Sequence, residues 1–269
     1  MTDAADGVRL TVDVSNRQTR IAAWRADDAI HDWHLSTALD RTKDEWTLWL
    51  RRLLADGPLR AADVTAVAMA CVVPSIADDV AAALASALGR APLVVGPGLR
   101  TGLSIRTEDP REVGPDRVAN AIAATQLVGA PVLVLDLSTA VTVDVIGPDG
   151  DYLGALIAPG IELAAEALAA RTSARLQAPL ARPERAIGSD TASGLGSGLV
   201  FGFLGQVEGL IAQARAEIGP APAVATGEPA AIGQLLVDEA LAALYEPLLT
   251  HRGLLAILDR VAAPSGQRP

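Results

Sequence analysis

Apolar and polar positions alternate through Val8-Arg9-Leu10-Thr11-Val12-Asp13-Val14, the period of a strand with one buried face. Ser15-Asn16-Arg17-Gln18 reads as a turn and Thr19 to Trp24 as a second strand, so the chain opens on a hairpin. Over residues 43–56 the period changes to that of a helix, with Trp46, Trp49, Leu50, Leu53 and Leu54 on one face. A buried strand is predicted over 64–73, stopped by Pro74-Ser75, then a helix over 76–88 and a short strand over 93–95. Residues 101–116 are rich in charge, Gly and Pro; long loops of this kind in compact domains usually serve function. An Ala-rich helix is expected over 118–127.

After Gly129-Ala130-Pro131 the pattern restarts. Strands are predicted over 132–137, 141–146 and 152–157, with turns at Ser138-Thr139-Ala140 and 147–151. Helices are expected over 161–170, 190–217 and 231–242, and 223–227 reads as a short strand ending in Thr226-Gly227. This alternation of strands and helices is that of an α/β protein. Residues 10–16 align with 133–139: an apolar strand, Asp, one apolar residue, Ser and a further polar residue. The offset of 123 residues is nearly half the chain of 269, which points to two duplicated α/β domains, 1–130 and 131–269, rather than a solenoid.

Composition narrows the chemistry. Hydrophobic residues make up 50% but aromatic ones only 3%, so Ala, Val, Leu and Ile must build the core. A net charge of −10 and a pI near 4.8 leave no field to attract a phosphate backbone or an anionic lipid surface. No nucleic-acid or membrane partner is expected. The single Cys71 excludes an internal disulfide framework and a Cys-rich zinc site. His31 and His34 beside Trp33 read as a polar surface turn, the remaining histidine being His251. Nothing at the acidic N-terminus resembles a signal peptide, and no apolar run approaches the ~18 residues of a membrane span. The expected location is the cytoplasm.

The paired hairpins carry chemical meaning. A tight turn of small residues leaves backbone N–H groups pointing outward to bind anions, and a carboxylate at the strand end can hold a hydrated Mg²⁺ that bridges phosphates. Asp-x-Ser after one strand is also ordinary turn chemistry; its repetition at half-chain spacing favours the phosphate reading.

Longer motifs are more specific. The chain contains Thr101-Gly102-Leu103-Ser104-Ile105-Arg106 and then Asp109-Pro110-Arg111-Glu112-Val113-Gly114-Pro115-Asp116-Arg117. It also contains Asp136-Leu137-Ser138-Thr139-Ala140-Val141-Thr142, Ile157-Ala158-Pro159-Gly160, Ile187-Gly188 with Thr191, and Leu249-Thr250 with Gly253-Leu254. With Asp13-Val14-Ser15-Asn16-Arg17, these resemble the type III pantothenate kinases of the actin, sugar-kinase and heat-shock ATPase superfamily, from about Leu10 to about Asp259. The resemblance implies two ribonuclease-H-like domains with mixed sheets and an interdomain nucleotide cleft. It further implies ATP-dependent phosphorylation of a small hydroxyl, best matched by pantothenate. Asp116 would be the general base; Gly114, Pro115, Arg117, Thr191 and Thr107 would contact substrate. Asp13, Ser15, Asn16, Arg17, Ser138, Thr139 and Gly227 would contact ATP, with Asp13 also organising Mg²⁺. Asp136 would hold a monovalent cation, K⁺ or NH₄⁺, and the chain would form a homodimer.

The departures from the family pattern cluster in the phosphate turns. Ser15 and Ser138 stand for glycines, Arg17 for threonine, and Glu228 for a second glycine after Gly227; Pro115 replaces alanine and Thr107 a tyrosine. Loss of glycine strains a turn wherever φ is positive. Three readings stand at this point: a pantothenate kinase, a kinase of the same fold acting on another small alcohol such as a nucleoside, and a non-catalytic regulatory paralogue.

Overall fold

The computed structural model describes residues 7–171 and 180–262; the acidic opening, residues 1–6, lies outside them. The chain forms two compact units: the described parts of Met1–Gly102, Asp109–Ala123 and Thr250–Pro269 in one, Leu103–Glu108 and Ala124–Leu249 in the other.

The first unit is built on a five-stranded sheet of β1 (Val8–Val14), β2 (Gln18–Arg25), β3 (Asp28–Ser36), β4 (Val64–Cys71) and β5 (Leu93–Val94). Its order is β3-β2-β1-β4-β5, antiparallel across the hairpins and parallel from β1 onward. Val8, Leu10, Val12 and Val14 face one way, against α1 (Lys43–Asp56) and α2 (Pro74–Leu88), which bury Trp46, Leu50, Ile76, Val80 and Leu84. A capping box between Thr42 and Glu45 starts α1, and Pro74 at the first position starts α2, where its missing N–H costs nothing. On the opposite face, Ala68 and Ala70 pack with Ala119 of α3 (Pro115–Val128) and with Leu254, Ile257 and Leu258 of α7 (Leu249–Ala262).

The second unit repeats that topology. Its sheet holds β6 (Val132–Leu137), β7 (Ala140–Ile146), β8 (Tyr152–Pro159), β9 (Ala223–Gly227) and β10 (Leu244–Tyr245), in the order β8-β7-β6-β9-β10 with the same parallel and antiparallel pairings. Leu133, Leu135, Leu137, Val141 and Val143 pack with α4 (Ile161–Arg171), α5 (Thr191–Ile218) and α6 (Ala230–Asp238). The duplication read from the two Asp-bearing hairpins is therefore present strand for strand.

Several expectations need correction. His31 and His34 lie on β3, not in a turn. A register shift opposite Ala23 and Trp24 breaks the two-residue alternation, so Ile30, Trp33 and Leu35 meet the core without an even spacing. Helix α3 starts at Pro115, placing Asp116 in its first turn rather than on a loop. Helix α6 ends at Asp238, and Ala240 adopts a left-handed φ of 58°. The units also differ from a plain division at residue 130. Helix α7 returns to the first sheet, and Leu103–Glu108 packs with the second unit through hydrogen bonds between Tyr152 N and Ser104 O and between Arg106 N and Tyr152 O, both 2.8 Å. Finally, α5 has the length and a mean hydropathy of 1.4 that would suffice to cross a membrane, which no single apolar run indicates; Val200, Phe203, Leu204, Val207 and Ile211 on it are buried in the second unit's core.

Candidate active site

The two strand-end aspartates occupy equivalent places. Asp13 is the next-to-last residue of β1 and Asp136 the next-to-last of β6, each flanked by a parallel and an antiparallel neighbour. Asp13 points to the same face as Thr11, away from α1 and α2. Its charge, after burial, helps push the Cys71 thiol upward from its ordinary pKa.

The turns after these strands close by the same device. Ser15 donates from its N–H at 3.0 Å and its hydroxyl at 2.9 Å to the Gln18 carbonyl. Ser138 donates from both groups at 3.0 Å to the Ala140 carbonyl. Neither serine has a positive φ, so replacing glycine here strains nothing. Both hydroxyls are committed to their own turns. Asn16, Arg17 and Thr139 are exposed beside them.

Around the second turn, backbone approaches too closely for side chains. A Cβ on Gly160 would lie 2.2 Å from the Ser138 carbonyl. One on Gly227, whose φ is 87°, would lie 2.0 Å from the Leu137 carbonyl and 2.8 Å from Asp136 Oδ1. Glu228 is exposed and caps the helix that follows it: its Oε2 accepts from Ala230 N at 3.0 Å, where the N-terminus of α6 favours an anion.

Asp116 is the most chemically distinctive carboxylate of the first unit. Pro115 starts α3, and Asp116 lies next in its first turn. Oδ1 is buried and has no hydrogen-bond partner among the described residues. Burial pushes the carboxyl above the usual aspartate range, while the Arg117 N–H and guanidinium pull the other way. A Cβ on Gly114 would lie 2.4 Å from that Oδ1, so glycine is required for the carboxylate to sit where it does.

The remaining predicted residues fall in the second unit. Thr191 is the exposed first residue of α5, inside the Asp190–Ser193 capping box. Thr107 belongs to the Leu103–Glu108 segment and buries an Oγ1 that has no partner among the described residues. No cluster of three or more His, Cys, Asp or Glu occurs among the described residues.

The family model described as type III pantothenate kinase matches residues 9–213. A type III pantothenate kinase of Moorella thermoacetica is 38% identical over 252 residues, covering 93% of this chain and 98% of the relative. One of Thermobifida fusca is 36% identical over 257 residues, covering 93% and 98%. The chain belongs to the type III pantothenate kinase family. Among solved structures, a putative 2-dehydro-3-deoxygalactonokinase of Sinorhizobium meliloti matches with a TM-score of 0.60 at 15% identity, over 95% of this chain and 97% of that one. The ethanolamine utilization protein EutJ of Carboxydothermus hydrogenoformans matches at 0.55 and 13%, over 93% and 89%. These likenesses establish the fold alone. The sequence alone pointed to these carboxylates and turns. It missed the tie of Glu228 to α6 and the bonds by which α7 holds α3 and β1, for which only the Leu249-Thr250 and Gly253-Leu254 motif was a signal.

Proposed function

We propose that the protein is an ATP-dependent kinase that phosphorylates pantothenate to 4'-phosphopantothenate in coenzyme A biosynthesis. The observation that carries this reading is Asp116, a buried carboxylate with one oxygen unpartnered among the described residues, set in a motif of a pantothenate kinase family. Phosphoryl transfer asks mainly for positioning and charge neutralisation. Asp116 takes the proton of the acceptor hydroxyl, and its raised pKa strengthens it as a base. Gly114 and Pro115 shape its surroundings, and Arg117 offers a forked donor to the substrate carboxylate. Thr107 and Thr191 are assigned to the same substrate.

Asp13 and the Ser15–Asn16–Arg17 turn are assigned phosphate and Mg²⁺; Ser138, Thr139 and Gly227 are assigned the nucleotide, and Asp136 a K⁺ or NH₄⁺ ion. Because the Ser15 and Ser138 hydroxyls are committed, phosphate contacts from these turns come from other N–H groups and from Arg17. Mg²⁺ supplies neutralisation of the charge that gathers on the transferring phosphoryl group. A cytoplasmic homodimer completes the reading.

The test is ADP release with ATP, Mg²⁺ and K⁺ against pantothenate, pantetheine and nucleosides. Turnover on pantothenate well above the others is expected. Turnover on another alcohol would make this a kinase of different acceptor, and silence across the panel with no ATP binding by calorimetry would make it non-catalytic.

A further inference from the structure

Consecutive residues in the first turn of α7 tie down the two elements of the first unit that carry Asp13 and Asp116. Thr250 Oγ1 donates to Asn120 Oδ1 at 2.8 Å. Asn120 is fully buried on α3, four residues after Asp116, so the two share a helix face about 6 Å apart along the axis. His251 Nδ1 lies 2.9 Å from Thr11 Oγ1 and hydrogen-bonds with it. Thr11 is fully buried on β1, two residues before Asp13, on the same face and about 6.6 Å along the strand.

Both ties are stiffened. Trp24 Nε1 donates to the same Thr11 hydroxyl at 2.8 Å. Gly253, one turn on, lets α7 approach α3 so closely that a Cβ would lie 1.9 Å from the Ala119 carbonyl. Asn120 and Thr11 are both shut off from solvent, so these bonds are costly to break.

We propose that Thr250 and His251 are positioning residues for phosphoryl transfer: through Asn120 and Thr11 they set where the base on α3 stands relative to the phosphate-bearing strand β1. The proposal rests on the reading of Asp116 as base and Asp13 as phosphate ligand. It assigns a purpose to the Leu249-Thr250 motif that the reaction otherwise leaves unused. A misplacement of about 1 Å at a reacting group lowers turnover by about a hundredfold, whereas binding of either substrate need not change.

The experiment compares wild type, Thr250→Val, Thr250→Ser, His251→Leu, His251→Asn and Asp116→Asn as full chains, measuring kcat, both KM values and the thermal midpoint. Thr250→Val and His251→Leu are expected to lower kcat about ten- to hundredfold, with KM for ATP and pantothenate within about twofold. Thr250→Ser and His251→Asn, which keep a hydrogen-bonding atom at the same place, restore most of the rate. If Asp116→Asn is inactive and Thr250→Val and His251→Leu keep wild-type kcat, the positioning role falls and the functional reading stands. If losses follow the fraction of folded protein, or KM and kcat move together without rescue, the two residues serve stability only and the proposal is overturned. If Asp116→Asn turns over normally, or the wild type is silent on every acceptor, the functional reading fails and takes this one with it.

Discussion

Gly114 and Asp116 share one space: a Cβ on the glycine would lie 2.4 Å from the aspartate Oδ1. Proline at the next position fixes the chain's entry into α3, and the absent side chain at Gly114 lets the carboxylate fold back over the helix start. Asp116→Asn is therefore expected to lower kcat by about 10²- to 10⁴-fold, the usual contribution of a general base, while calorimetry shows ATP affinity unchanged. Gly114→Ala should lower kcat in the same direction by displacing the carboxylate. Retained turnover in Asp116→Asn removes it from the base role.

The pH profile follows from the same burial. Asp116 must be ionised to accept a proton, and its pKa is raised by desolvation. The acid limb of kcat/KM should thus lie above the ordinary aspartate value of about 3.9, with activity lost as pH falls through it. An acid limb at or below that value would contradict the buried environment.

Ser15 and Ser138 each spend their hydroxyl on a carbonyl of their own turn. Ser15→Ala should cost about 1 kcal/mol of stability, the worth of one hydrogen bond, and leave KM for ATP within about threefold. A tenfold rise in that KM, which corresponds to about 1.4 kcal/mol of binding, would show instead that the hydroxyl serves phosphate.

What was legible in the sequence follows from local regularity. The hairpin bearing Asp13 opens on a two-residue alternation and the one bearing Asp136 on an unbroken apolar run, Val132-Leu133-Val134-Leu135, buried on both faces, so strand, turn and equivalence all showed. Strand β3 hid because its register shift near Ile30 spoils that period. Helix α7 went unread from the sequence, and the purpose of Gly253 inside it shows only once the Ala119 carbonyl beside it is seen. The same long-range contact explains why the motif around Thr250 had no visible purpose: its partners, Asn120 and Thr11, are 130 and 240 residues from Thr250 and His251. Glycine loss in these two turns suggests strain from the sequence alone, and the backbone angles of Ser15 and Ser138 show that there is none.

His251 makes stability depend on pH with a definite sign. It is fully enclosed, and burial pushes its pKa from 6.5 down to about 3, with Arg20 and His34 adding to the effect and Asp32 opposing it. The folded chain keeps the imidazole neutral, whereas the unfolded chain takes up a proton below the ordinary value. Stability is consequently lost as pH falls from 6.5 towards 3, at about 1.4 kcal/mol per pH unit for this one group. Urea unfolding of wild type and His251→Leu, from about pH 7 to about pH 5, isolates it from the carboxylates that titrate in both. The wild type should lose about 2 kcal/mol more than the variant over that range. Parallel losses would mean that the ring is protonated in the folded state, which would require an acceptor for its buried Nε2 where none stands among the described residues.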